Sequence, residues 1–558
     1  CLSDTELHGG EPCAALHSHI ALAGEETKNI NYFLGVTPGA LVDFDKAREK
    51  TKAMLAVLKS EDAFKTQFEK NIAWWREQLN ILQCEVPDSN VKREINTWNP
   101  VQSVVTARFS RSISSSASGI RGIGFRDTCQ DMLAQAYRKP AWATEMLYYL
   151  ATQQFEDGST VHQSWPEDNR PPQVATRSDN HIWMSYLAYA IAAETGDLSF
   201  LDKEIPFLGK DLTSEASRAT LWEHLMRGIS FTETHKGAHG LPLILFSDWN
   251  DHLGPFGRKG KGESVFVSQQ HIYQLKLLSE LAAVLGKEAE VEYFQSLINA
   301  QEQALAQYAW DGNWYRRGFD DEGNPIGTQE AENARIWVNT QSWNIISGAG
   351  TREHDIRAMD SVKEILDTGM GLMINYPSLP KSMVNGLPKG YSENGGVFCQ
   401  ANCWAIMAEA LLGRGNIAWK YYNQILPHEV IERNEAYAYS STMLGPDNEK
   451  FGWACVSQVT GTAAWMDVIS TQYLLGIRPV YRGLRIDPCI PAEWKGFSVQ
   501  RVFRGCKFII EVENPNGVQH GVTSMFIDGK KVTCKEEALI TSELYAGKNE
   551  AHVRVVMG

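Results

Sequence analysis

The sequence lacks the features that announce several common functions. No stretch of 18 apolar residues occurs, so no membrane-spanning helix is expected, and no segment reads as a signal peptide. No Cys-x-x-Cys and no His/Cys pair has zinc spacing. The ten cysteines follow no disulfide framework, Cys399 and Cys403 being merely four apart, and read as free, buried thiols in a reducing compartment. There is no Walker loop and no strand-to-helix dinucleotide pattern. Basic charge is scarce: 53 Lys and Arg face 67 Asp and Glu, a net charge of -14, which argues against nucleic acid or a membrane surface as partner.

What is present is an ordinary globular composition, 43% hydrophobic and 22% charged over 558 residues, with room for two to four domains. The 17 tryptophans suit either core filling or flat platforms for sugar rings.

Four textures succeed one another. Residues 1–40 carry short apolar runs broken by Gly9-Gly10, Pro12 and Pro38-Gly39, as strands and loops at the end of a β domain would. Residues 41–89 interleave charge with apolar steps (Met54, Leu55, Phe64, Phe68, Ile72, Trp75), the pattern of a helical linker exposed on one side. Over 90–476 helical patterns alternate with loops rich in Gly, Pro, Asp and Asn. The clearest spans 268–285, with Ile272, Leu275, Leu278 and Leu281 on one face and Gly286 as the stop, and a second runs from Asn402 to Leu412, closed by Gly413. Many helices joined by long loops suggest a toroid of helices. From 477 to 558 short β-rich runs are punctuated by Asn514-Pro515-Asn516-Gly517 and Asp528-Gly529, a C-terminal β-sandwich.

Chemistry concentrates in a few loops. The apolar run Leu241–Phe246 stops at Ser247-Asp248-Trp249-Asn250-Asp251 and is followed by a Gly-rich basic loop ending at Glu263. A polar tip on a rigid wall is how catalytic loops are built. If the tip is extended, Trp249 and Asp251 point the same way, a stacking face beside a proton donor; an Asp-rich turn capping the next helix gives the same pattern. Gly119–Asp131 offers Arg121, Arg126 and Asp127 to an oxyanion or to sugar hydroxyls. Tyr391–Gln400 is another glycine turn before a helix, and Gln458–Thr462 a Thr-Gly-Thr turn that suits an anion or simply caps a helix. Asp179-Asn180-His181 heads a further helix as a cleft candidate.

Taken in order, GFRDTCQD, SDNHIW, SDWNDHLG with GKGES, ENGGVFCQAN, VTGTAAWM and LRIDPCIP resemble the inverting β-glycoside phosphorylases of glycoside hydrolase family 94, the group of cellobiose, cellodextrin, laminaribiose and chitobiose phosphorylases. The early GGEPCAAL stretch matches as well, so the resemblance covers the whole chain. It implies an α+β multidomain protein: an N-terminal β-sandwich, a helical linker, an (α/α)6-barrel catalytic domain and a C-terminal β jelly roll. The expected division is 1–40 as the end of the first domain, most of which is missing or on another chain, then 41–89, 90–476 and 477–558.

The resemblance also implies a reaction. Phosphate attacks the anomeric carbon while Asp251 protonates the leaving oxygen, and inversion gives an α-sugar 1-phosphate. An inverting hydrolase needs a second carboxylate to activate water, whereas phosphate is already an anion. Asp251 must then be protonated in the ground state, so a pKa raised by burial or a nearby anion is expected. By motif, Arg121, Arg126, Asp127, Trp249, Asn250, Glu263 and Glu435 bind substrate, and Arg121, Gln400, Thr460 and Gly461 bind phosphate. Two positions depart from the family: Ser392 stands where Lys is usual and Gln400 where His is usual. Glu435-Ala436-Tyr437 stands in a shortened acceptor loop. The implied substrate is cellobiose or cellodextrin, with laminaribiose close, giving α-D-glucose 1-phosphate; no metal or cofactor is expected, and the protein is expected to be a cytoplasmic homodimer. The open alternatives are a chitobiose-type phosphorylase, an inverting hydrolase using Glu263, Glu393 or Glu435 as base, and a non-catalytic carbohydrate-binding protein.

Overall fold

The computed structural model describes residues 17–30, 32, 37, 43–58, 60–111, 122–166, 170–429, 435, 437–534 and 537–558. Two compact units divide the chain at Lys65/Thr66. In the first, the described part of 1–40 contains a turn at Gly24-Glu25 and no strand, so the β reading of that stretch lies mostly outside the described residues. Helix α1 (Phe44–Leu58) buries only Ala47, and α2 (Glu61–Leu79) follows it, as the interleaved charges predict. The stretch read as linker through 89 ends differently: β1 (Leu82–Glu85) is a strand that pairs antiparallel with residues 498–501 near the far end of the chain. Its Leu82 and Cys84 point into the core, 2% exposed each, which the short run LQCE between two helical segments does not advertise.

The second unit is organised by twelve helices that alternate between inner and outer positions. The outer ones are α3 (Asn99–Arg108), α5 (Pro140–Ala151), α7 (Leu221–Thr234), α9 (Glu288–Tyr308), α11 (Arg352–Ile365) and α13 (Gly415–Gln424). The inner ones are α4 (Phe125–Ala136), α6 (Asn180–Thr195), α8 (Val265–Val284), α10 (Val338–Ser347), α12 (Cys399–Leu411) and α14 (Thr462–Ile469). Each inner helix packs on the next, and α14 packs back on α4, closing a ring. Burial follows position: α10 and α14 are buried along their entire length, as helices surrounded by others must be. Tryptophan fills the ring, with Trp183, Trp343 and Trp404 fully buried and in mutual contact. Core filling is thus what these indoles do.

Local signals set the helix ends. Ser264 caps α8 by accepting from the Val267 amide at 3.1 Å, and Gly286 just past its end takes φ 67°. Thr220 and Glu223 form a capping box on α7. The ring is closed by side chains far apart in sequence: Asn99 donates to the Tyr422 hydroxyl (3.1 Å) and accepts from the Tyr439 hydroxyl (2.6 Å), and Arg138 pairs with Asp467 (3.1 Å).

After the ring come β2 (Ile477–Val480), β3 (Gly483–Ile486), β4 (Gly496–Phe503), β5 (Cys506–Glu513), β6 (Val522–Ile527), β7 (Lys530–Val532), β8 (Leu539–Thr541) and β9 (Glu550–Met557). They form a six-stranded sheet, β1-β4-β5-β9-β6-β7, and a three-stranded one, β2-β3-β8. Alternating burial along β5 and β9 marks sheets solvated on one face. The Asp528-Gly529 turn joins β6 and β7 with both residues at positive φ (49° and 78°), the geometry that this dipeptide favours in tight hairpins. The eight described cysteines are all unpaired, and six of them are buried.

Candidate active site

The N-terminal ends of the inner helices carry the chemistry. Arg126 and Asp127 lie on the first turn of α4, Asp179 and Ser264 are the N-cap residues of α6 and α8, Gln400 is on the first turn of α12, and Gly461 is the N-cap of α14. Helix N-termini are the electropositive ends, suited to carboxylates and anions.

Asp248 and Asp251, three residues apart, have different surroundings. Asp248 is fully buried; Arg317 Nη2 reaches both its oxygens (2.7 and 2.6 Å), Ser264 donates to it (2.8 Å), and the Asn250 amide closes the turn (2.9 Å). Asp251 instead keeps 37% of its side chain exposed. Arg126 Nη2 (2.9 Å) and Arg177 Nε (3.2 Å) both meet its Oδ1, and among the described residues no ion pair or hydrogen bond takes Oδ2. Glu393 accepts from the backbone amides of Asp251 (3.1 Å) and His252 (2.9 Å), fixing the start of the 3-10 turn Asp251–Phe256. One carboxylate therefore holds the loop and the other is presented by it.

The loop tip is a bend leading into that 3-10 turn, not an extended strand. Trp249 accordingly parts from Asp251: it is 5% exposed and packs edge-on against Trp404 (4.6 Å) and Phe398 (4.9 Å). Its indole supports the cleft wall more than it offers an open stacking face.

The expectation of a raised Asp251 pKa is corrected by the structure. Burial raises it, but the charges of Arg126, His162 and Arg177 outweigh burial and hold the carboxyl below its ordinary value. His162, pushed down to about 4 by burial and by Arg126, is uncharged near neutrality, so the two guanidiniums carry the effect there. Asp179 moves oppositely: burial raises its pKa against the pull of Arg126 (3.1 Å) and the Trp183 indole N–H (2.9 Å).

A second cluster lies between α4, α12 and α14. Arg111 is 5% exposed, holds Asp131 through two nitrogens (2.8 Å each) and meets Asp127 at 2.8 Å. A Cβ added to Gly461 would fall 2.7 Å from Arg111 Nη2 and 2.6 Å from Gln400 Oε1, so any larger residue there would push back the ends of both side chains. Gln400 donates to Gln130 Oε1 (2.5 Å), which also accepts from the Trp465 indole (3.0 Å). The Thr460 hydroxyl is engaged with that of Thr462 (2.6 Å) at the start of α14.

Other expected residues fall elsewhere. Arg121 lies outside the described residues. Asn250 is 1% exposed and its carbonyl oxygen is taken by Arg317 (2.9 Å) and Asn339 (3.3 Å), a support for the loop. Glu263, 2% exposed, acts as a brace here: its oxygens bind the His239 ring (2.5 Å) and the His239 and Leu241 amides (2.9 and 3.3 Å). Glu435 is half-buried in a loop whose neighbours are not described. His181 is buried against Thr232 (2.7 Å) and is structural. Sequence reading missed Arg111, Arg177 and Arg317. Arg177 adjoins the SDNHIW motif and could have been taken with it; the other two sit in stretches with no pattern.

Backbone strain marks the same neighbourhood. Non-glycine residues at positive φ include Arg111 (58°), Leu245 (57°), Ser392 (50°) and Gln458 (62°), each within a few residues of a site side chain.

Residues 74–476 match the family described as the glycosyl hydrolase 94 superfamily, catalytic domain. The chain belongs to this family. Membership places it among glycosyltransferase-type enzymes that carry out phosphorolysis. It is 32% identical to an N,N'-diacetylchitobiose phosphorylase of Vibrio furnissii over 93% of this chain and 67% of that protein, and 30% identical to a solabiose phosphorylase of Paenibacillus borealis over 95% and 69%. A solved GH78 rhamnosidase of Bacillus sp. GL1 superposes with TM-score 0.53 at 14% identity, over 79% of this chain and 43% of that one, a likeness of fold alone. For this glycosyl hydrolase 94 chain the resemblance seen in the six motifs is therefore established, while sugar and linkage differ among its relatives.

Proposed function

We propose that the chain catalyses reversible, inverting phosphorolysis of a β-linked disaccharide, with Asp251 as the general acid and the Arg111–Gln400–Gly461 cluster as the phosphate site. The two arginine–carboxylate clusters at the helix N-termini are the observation that carries this reading. The ring is the (α/α)6 barrel and the C-terminal sheets the jelly roll of this proposal, with the cleft at the barrel's N-terminal end.

The bond changes are simple. A phosphate oxygen attacks the anomeric carbon, the glycosidic C–O bond breaks, and the Asp251 proton moves to the leaving oxygen. Because both guanidiniums bind Oδ1, Oδ2 is the oxygen left to carry that proton. In the ligand-free site the guanidiniums favour the ionised acid. Phosphate beside them cancels their field and adds like charge, raising the Asp251 pKa toward the protonated form that catalysis needs. Nucleophile binding and acid protonation become one event. No metal or cofactor enters this scheme.

The hydrolase alternative needs a free base. Glu263 is spent on the His239–Leu241 turn and Glu393 on two backbone amides, which favours phosphate as nucleophile. The donor is proposed to be a glucosyl unit, with cellobiose and laminaribiose first; the names of the relatives add diacetylchitobiose and solabiose to the panel. A homodimer and a cytoplasmic location belong to the same proposal. The test is sugar 1-phosphate release from that panel with and without inorganic phosphate. Phosphate-dependent release is expected; equal release of free sugar without phosphate would replace this reading with hydrolysis.

A further inference from the structure

The C-terminal ends of the same inner helices enclose a cavity of about 250 Å³, capped by β2 and β3. It shares only Trp465 with the clusters described above. Its lining is largely aromatic: Tyr186, Tyr189, Tyr273 and Tyr473, with the buried Trp343 and Trp465. Glu194 and Arg485 also line it, but they are paired with Arg501 and Glu537. Three further polar side chains face it without an ion-pair partner. Arg478 lies over the Tyr473 ring at 5.0 Å, and its buried Nε has no hydrogen-bond partner. Glu280 accepts from the Tyr189 hydroxyl at 2.6 Å. Among the described residues neither Arg478 nor Glu280 has an ion-pair partner within 4.0 Å, and they do not reach each other. Gln472 lines the same space and its amide makes no hydrogen bond among the described residues.

We propose that this cavity is a second binding site, for a neutral polyol of monosaccharide size. Size and charge both lead there. The volume is below the usual range for drug-sized ligands. One unpaired cation and one unpaired anion oppose each other across it, so an anionic ligand would meet Glu280 and a cationic one Arg478. The helix C-termini are electronegative, which stabilises Arg478 in place and further disfavours an anion. Guanidinium, carboxylate and amide are planar groups that pair with adjacent hydroxyls through two atoms each, and the aromatic faces take the C–H face of a sugar ring. Arg478 and Glu280 are both half-buried, and a ligand that hydrogen-bonds to each would add partners that they lack.

The test is calorimetric titration of the whole chain with D-glucose in the absence of phosphate, so that no turnover is involved. The outcome is then independent of whether the phosphorylase reading holds. The wild type should show a binding event that Ala190→Phe, which fills the cavity from α6, removes, and that Asp251→Asn retains. Ala190→Phe should keep disaccharide turnover within about twofold, because it touches nothing at the other end. Glu280→Gln and Gln472→Leu supply variants without added bulk should Ala190→Phe fail to fold; each should weaken glucose binding about tenfold, as expected for loss of one good hydrogen bond. Unchanged glucose binding in a folded Ala190→Phe chain would place all sugar binding elsewhere and overturn the proposal, as would binding of inorganic phosphate that Arg478→Gln abolishes, since the site would then be anionic in preference.

Discussion

Six helices supply both ends of the ring, and the two ends differ in kind. At the N-terminal end carboxylates and guanidiniums alternate: Asp127, Asp131, Asp179, Asp248 and Asp251 against Arg111, Arg126, Arg177 and Arg317. At the C-terminal end the cavity is lined by tyrosine, tryptophan and aliphatic side chains, with charge confined to Arg478, Arg485, Glu194 and Glu280. Helix polarity explains the partition: aligned peptide dipoles favour anions at one end and cations at the other, so the acids and the anion site gather where amides point outward. The acidic end needs arginines to make it tolerable, and those same arginines depress Asp251. Chemistry at this end is therefore tuned by what neutralises the arginines.

The largest contrast should come from Asp251→Asn. Phosphorolysis should fall by about 10²–10⁴-fold with an unchanged circular dichroism spectrum. A variant at near wild-type rate would remove Asp251 from the acid role. Asp248→Asn acts on the support instead. It leaves Arg317 buried without its partner, and a loss of about 3–5 kcal/mol in chemical denaturation is expected, with activity lost in proportion to unfolding. Should it fold normally and lose only turnover, the division between supporting and presented carboxylates would fail.

Glu94, outside both clusters, provides a control on burial. Burial pushes its pKa up to about 7, and one of its oxygens has no partner. A raised folded-state pKa means stability is greatest at low pH and is lost as pH rises from the unfolded value of about 4.3 through about 7. Glu94→Gln should remove that dependence and stabilise the protein by roughly 1–3 kcal/mol at pH 8, with no gain at pH 4. Equal stabilisation at both pH values would mean the carboxyl is not the cause.

Gln400→Ala should raise the phosphate KM about tenfold, the worth of a hydrogen bond to a charged ligand, while the disaccharide KM moves much less. Parallel increases would take Gln400 out of the phosphate site. The smallest effect is a displacement of the pH profile. The rate should fall as pH rises past the Asp251 pKa, and saturating phosphate should move that falling limb to higher pH, by up to about one unit. A limb that ignores phosphate would show that the guanidiniums do not transmit its charge to the acid.

The parts legible in the sequence were those carried by short-range pattern. Helices with an apolar stripe and a glycine stop, such as α8, were visible, as was the Asp528-Gly529 hairpin. Asp251 was reached by motif, and it lies on the presented loop with part of its side chain exposed. What was not legible came from long-range contact. β1 looks like a helix-to-helix connector until residues 498–501 arrive beside it. Arg177 and Arg126 are 51 positions apart and decide the state of Asp251 together, which no local window contains. Glu263 follows a glycine-rich loop, as a substrate ligand could, yet folds back onto His239. Trp249 alternates with Asp251 only on an extended strand, and the 3-10 turn breaks that relation.

The closed ring bears on how the protein is made. Its seam is sealed by Asn99 with Tyr439 and Arg138 with Asp467, pairs separated by 340 and 329 residues. Such contacts are topologically remote, and their loop-closure entropy must be met before they return anything. During synthesis the first hairpins leave the ribosome long before α14 exists, so they wait with one flank open. The cleft, assembled from helix ends on both sides of the seam, then forms only when the last helix docks, and activity should reappear on refolding as a late, single step rather than in proportion to helix content.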